Sequence, residues 1–179
     1  YYDHPKFIEH FTAAARKYMA SHEYDYFIFS YHGVPERQIR KGVCTGKTCN
    51  FGSCCDTIHS FNQYCYRAQC HETTRLMVKE LGLKEGTYLT TFQSRLGRDP
   101  WIQPYTEDTI KRLAKEGKKS VLAFSPAFVS DCLETTIEVG EEYKEVFEEL
   151  GGEHWQLVES LNNSPIWVEL LKDLVTKNS

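Results

Sequence analysis

Apolar positions along this chain change period in a repeating order. Residues 4 to 20, HPKFIEHFTAAARKYMA, carry them at helical spacing, and YDYFIFSY at 24 to 31 is an aromatic and β-branched run that predicts a buried strand. The alternation continues with CHETTRLMVKEL (helix), TYLTTFQS (strand), TEDTIKRLAKEG (helix, closed by Gly117) and KSVLAFS (strand). It ends with one long helix over DCLETTIEVGEEYKEVFEEL, closed by Gly151, then the strand HWQLVES and the helix SPIWVELLKDLV. Four strands separated by helices predict an α/β fold with a parallel sheet covered on both faces. Residues 42 to 64, rich in Gly, Ser, Asn, Asp and Cys, break the rhythm, and an irregular stretch of that length is a functional or a disordered one.

Composition narrows the picture without changing it. The 179 residues are enough for one sizeable core and show no linker or repeat, so a single domain is expected over 1–179. A net charge of -4 and the lack of a basic stripe argue against nucleic acid as a partner. No apolar run approaches a membrane span and no secretory leader is visible, which points to the cytoplasm. The chain opens YYDHP without a methionine, as a fragment would. Six of its seven cysteines crowd into residues 44 to 70; in a reducing compartment such a cluster suits a metal better than disulfides.

In open parallel sheets ligands gather beyond the carboxyl ends of the strands, so the residues just after each strand are the first candidates. His32 follows FIFSY and precedes Gly33; an imidazole, whose unperturbed pKa is ~6.5, suits proton transfer or metal binding, while a plain strand-end cap is the competing reading. After the strand KSVLAFS, Glu134, Glu138 and Glu142 fall four apart on one helical face, a row suited to a hard cation or a proton relay. Two structural readings compete here: a solvated acidic face, and a capping box with Asp131 as N-cap and Glu134 reaching back to its amide. Trp101, on a loop with Arg95, Arg98 and Tyr105, and Phe128 are aromatic enough to wall a flat ligand or to plug the core.

Taken together, FSYHGVPER, FQSRLGRDPWIQPYT, SPAFVSDCLETTIEVGEEY and ESLNNSP closely resemble the C-terminal half of ferrochelatases, from the first helix to the last. The resemblance implies one of two Rossmann-like lobes enclosing a porphyrin, with the N-terminal lobe absent, and insertion of Fe(II) into protoporphyrin IX to give protohaem. It implies His32 and Glu134 as catalytic residues facing each other across the cleft, Glu138 and Glu142 as a metal path, and Trp101 and Phe128 as porphyrin contacts. Asp131 would support the turn. Animal members tend to have histidine where this chain has Cys132. Two other readings stay open: a tetrapyrrole chelatase handling cobalt, sirohydrochlorin or coproporphyrin, and a zinc-binding interaction module without catalysis. Membrane contact at the periphery is left open too.

Relatives of that family run from HG.PER through a short turn into the next helix, so residues 42–65 resemble an insertion. Some ferrochelatases carry a 2Fe-2S cluster, which needs four thiolates. Cys70 stands where cluster-free relatives also have cysteine, and Cys44 is the most remote in sequence. Cys49, Cys54, Cys55 and Cys65 are therefore the expected ligands, with zinc as the alternative metal and free thiols as the bland reading.

Overall fold

The computed structural model describes residues 1–42, 49 and 51–177. Cys44 lies outside the described residues. The elements run α1 (Pro5–Ser21), β1 (Tyr26–His32), α2 (Glu36–Gly42), a single 3-10 turn (Ser53–Cys55), α3 (Tyr66–Leu81), β2 (Tyr88–Gln93), α4 (Thr106–Lys115) and β3 (Ser120–Phe124). A π-helical segment (Glu134–Glu142), α5 (Tyr143–Glu149), β4 (His154–Leu157) and α6 (Pro165–Lys177) complete the chain.

The four strands form one parallel sheet in the order β2-β1-β3-β4, the expected α/β architecture. Because successive strand residues point to opposite faces, β1 splits its side chains between two cores. Phe27, Phe29 and Tyr31 join α1, α3 and α6 on one face; Tyr26 and Ile28 join α4, the π-helical segment and α5 on the other. The Phe29 and Phe124 rings stack at 4.5 Å in the first core. The connections leaving β1 and β3 go to opposite faces, so a crevice opens between the ends of these adjacent strands, where α/β folds bind ligands.

Three local readings are corrected. The helix expected over 131–150 is π-helical from Glu134 to Glu142 and α-helical only from Tyr143. Its start is capped one residue later than a capping box on Asp131 would place it: the Cys132 N–H donates to Thr135 Oγ1 at 2.8 Å. The Asp131 carboxylate instead accepts from the Ser160 N–H and from Asn162 Nδ2 at 2.7 Å, tying this turn to the strand end of β4. A short helix, α2, was also unforeseen, since seven residues are too few to show a period. Among the described residues no helix is long and apolar enough to cross a membrane.

Candidate active site

His32 is the last residue of β1, and its surroundings fix both its backbone and its ring. Nδ1 lies 2.6 Å from the Gly33 carbonyl. A carbonyl can only accept, so Nδ1 carries a proton, and in the neutral imidazole the lone pair is on Nε2. The Gly33 N–H donates to the Gln93 carbonyl at 2.8 Å, and a Cβ at Gly33 would sit only 2.8 Å from that same oxygen, which is why the position takes no side chain. Residues 34–36 and 100–102 pair across this turn, through Ile102 N–H to Val34 O and Glu36 N–H to Pro100 O. That pairing lays Trp101 against Gly33, and the His32 ring lies 6.3 Å from the Trp101 ring and 6.1 Å from the Phe128 ring. Three of the expected residues thus meet at one strand end.

The carboxylate side is built by β2. Buried Gln93 donates from Nε2 to the Glu134 carbonyl at 2.8 Å and to Glu138, while its Oε1 accepts from Ser30 Oγ at 2.8 Å. Ser94 takes a left-handed conformation (φ 63), which turns both its N–H and its hydroxyl onto Glu138, at 2.8 and 2.6 Å. Tyr143 Oη adds a fourth donor at 2.8 Å. A carboxylate has about four lone-pair positions, and all four of Glu138's are used. Burial, then the Glu138 charge, raise the Tyr143 phenol well above its ordinary range, so it stays a donor. Glu134 reaches solvent; hydrogen bonds from its own backbone and from Cys132, with the nearby His32, hold its carboxyl below the usual value.

Glu134, Glu138 and Glu142 line one cavity of about 550 Å³, shared with Glu107 and Asp108 from the first turn of α4. The row is thus spatially continuous, although in a π-helix it does not repeat with α-helical turns. His32, Trp101 and Phe128 lie outside its lining, and Glu142 is the exposed end. Sequence reasoning passed over Gln93, Ser94, Tyr143, Glu107 and Asp108. Gln93 and Ser94 stand at a strand end and were findable by the rule that found His32.

On the other flank of β1 stand the cysteines. Cys49, Cys55 and Cys65 are buried and Cys54 is half-buried. The Cys54 and Cys55 sulfurs are 3.9 Å apart, Cys49 interacts with Cys54 through its thiol, and Cys55 donates to Cys65. Cys65 is the acidic member, brought down to about 6 by the Cys55 hydrogen bond, against its burial, with help from the Ala68 and Arg67 N–H groups and the Arg67 charge. The shared proton and burial push Cys55 up. Arg67 is only 8% exposed; its guanidinium donates to the Gln103 carbonyl at 3.3 Å and leaves its Nε without an oxygen or nitrogen acceptor. A buried cation with a spare donor beside four thiols suits an anionic sulfur group. Contact is pairwise, and among the described residues no three of His, Cys, Asp and Glu surround a single point as one ion would require. The contacts run as a chain from Cys49 through Cys54 and Cys55 to Cys65.

Cys70 lies apart, buried in α3 and bonded to the Tyr66 hydroxyl. The loop also has a framework of its own: buried Asn62 donates to the Cys54 and Thr57 carbonyls at 2.6 and 2.9 Å and accepts from the His59 N–H, and Arg75 donates to the Cys55 carbonyl. Metal is therefore not needed to explain the order of residues 51–64.

Comparison with known proteins agrees with this geometry. The family model described as Ferrochelatase matches residues 1–179. A ferrochelatase of Coxiella burnetii (strain Dugway 5J108-111) is 41% identical over 178 residues, covering 99% of this chain and 50% of that protein. Those of Pseudomonas putida (strain W619) and Pseudomonas fluorescens (strain Pf0-1) are 42% and 43% identical, covering 99% and 97% of this chain and 53% and 51% of theirs. The four-stranded parallel sheet flanked by helices is the α/β architecture consistent with that family. The chain belongs to the ferrochelatase family and spans about half the length of the curated relatives it matches.

Proposed function

We propose that this chain is one lobe of an enzyme that inserts Fe(II) into protoporphyrin IX, forming protohaem, with the second lobe closing the cleft. The reaction releases the two pyrrole N–H protons as the metal binds four nitrogens, so the site must accept protons, hand over a desolvated cation and hold the macrocycle. His32 is the proton acceptor, since its Nδ1–H is given to Gly33 and the neutral ring's Nε2 is the base. Glu134, beside it, carries the matching negative charge. Glu142, at the exposed end of the cavity, and Glu134 are free to meet a cation, whereas Glu138, saturated by four donors, anchors the path between them. Trp101 and Phe128 flank His32 as the walls for a flat aromatic ligand.

Cys49, Cys54, Cys55 and Cys65 would hold a 2Fe-2S cluster, with Arg67 offsetting its negative charge. Bound there, such a cluster would supply a crosslink between the loop and α3. Purification without oxygen is expected to give coloured protein with iron and acid-labile sulfide in equal amounts; one tightly bound zinc and never iron would remove the cluster while leaving the chelatase reading intact.

The observation that carries the chelatase reading is the bare Nε2 of His32 set between two aromatic rings and next to a carboxylate. The test is metal insertion by the full-length protein, with Fe(II), Co(II) and Zn(II) compared and protoporphyrin and sirohydrochlorin as acceptors. Fe(II) insertion into protoporphyrin is expected. Cobalt insertion into sirohydrochlorin alone would make it a different tetrapyrrole chelatase, and no insertion with zinc in the thiols would make it a binding module.

A further inference from the structure

The cysteine flank and the carboxylate flank meet on His32, and the contact from the cysteine side is a single phenol. Tyr66 is the first residue of α3, directly after Cys65, and its hydroxyl donates to the His32 carbonyl at 2.7 Å across 34 residues of sequence. The buried Cys70 thiol lies against the same oxygen. The same peptide gives its N–H, that of Gly33, to Gln93, and the carbonyl of the next peptide, Gly33's own, accepts from His32 Nδ1.

The geometry points to Tyr66 as the positioning residue that sets the His32 ring and carries the state of the Cys65 end of the loop to it, a role that rests on the proposed use of His32 as the base. The peptide between His32 and Gly33 is gripped at both ends: Tyr66 holds its carbonyl and Gln93 holds its N–H. The tilt of that peptide sets where the Gly33 carbonyl stands, and that carbonyl selects the tautomer of His32. Any shift of Cys65, the cap of α3, moves Tyr66 with it, since the two are adjacent in the chain. The hydroxyl touches backbone alone on the His32 side, so Tyr66 acts through His32 and not on substrate.

Tyr66→Phe removes one oxygen and keeps the ring, and Cys70→Ser keeps a polar neighbour for the phenol. In the full-length protein with isotope-labelled histidine, His32 is expected to show the Nδ1–H tautomer in the parent and in Cys70→Ser, and a mixed signal in Tyr66→Phe. Insertion should follow: about tenfold loss of kcat in Tyr66→Phe with KM for porphyrin unchanged, and near-parental turnover in Cys70→Ser. Cys65→Ser should move the His32 ring signals in the parent but add nothing in the Tyr66→Phe background, the non-additivity expected of a shared path. Unchanged His32 signals in Tyr66→Phe would overturn the role, even if kcat fell, and equal Cys65→Ser shifts in both backgrounds would overturn the coupling. The ring signals decide this whether or not the parent inserts iron, so a failure of the chelatase reading is seen separately, in the parent's turnover.

Discussion

The two flanks of His32 are ordered by different means. On the carboxylate flank, Gln93 and Ser94 inherit their positions from the end of β2, and four hydrogen bonds lock Glu138. On the thiol flank, four sulfurs from the 3-10 turn, Cys49 and the cap of α3 meet in pairs, with Asn62, Arg67 and Arg75 supplying most of the remaining ties. One flank is preorganised by the sheet, which costs nothing extra at the moment of reaction. The other holds ionisable groups under burial. Chemistry that must not drift belongs on the first, and a brace that changes with conditions belongs on the second.

Glu138→Gln strikes at this contrast hardest. The amide puts an NH2 group against donors that need an acceptor, so Ser94 loses its reason to stay left-handed and the end of β2 relaxes. Insertion is expected to fall about a hundredfold, roughly 2.7 kcal/mol in the barrier, while metal content of the thiols stays the same. Turnover within threefold would mean the carboxylate flank is not preorganised for the reaction.

Acid should then separate the flanks. His71, on α3 beside Arg67 and Arg75, is pushed down to about 4, first by burial and then by those two cations. Its folded value lies below the unfolded value of ~6.5, so the unfolded chain binds the proton more readily and stability is lost as pH falls from about 6.5 through 4. The loss is roughly 2 kcal/mol by pH 5 and should disappear in His71→Leu, read as unfolding midpoints in urea. The same slope in both proteins would assign the acid sensitivity elsewhere.

The mildest effect is expected at the exposed end of the acidic cavity. Glu142→Gln should change turnover by about threefold or less and act on the metal dependence more than on kcat, because solvent screens a charge there. A loss as deep as that of Glu138→Gln would mean that Glu142 touches the reacting metal.

What the sequence could tell follows the range of the interactions. The parallel sheet was legible because apolar period is local, and His32, Glu134 and Trp101 were legible because strand ends are where such sheets bind. The acid row was legible as spacing, but the switch to π-helix was not, since it depends on Thr135 capping Cys132 and on Gln93 taking the Glu134 carbonyl. Tyr66 stayed hidden because its bond spans 34 residues, and nothing in a local pattern announces a partner so distant. The capping-box reading of Asp131 failed for the same reason: the carboxylate's partners, Ser160 and Asn162, lie near the other end of the chain.

Every role assigned to the site depends on His32, with its Nε2 bare, taking the porphyrin's proton. Fe(II) insertion into protoporphyrin by the full-length protein carrying His32→Ala, followed in the porphyrin absorption bands alongside a porphyrin-binding titration, addresses that step itself. At least a hundredfold loss of turnover is expected with binding retained and the fold intact, within the range general-base catalysis supplies. Turnover within tenfold of the parent, a barrier change of only about 1.4 kcal/mol, would show that another group takes the proton.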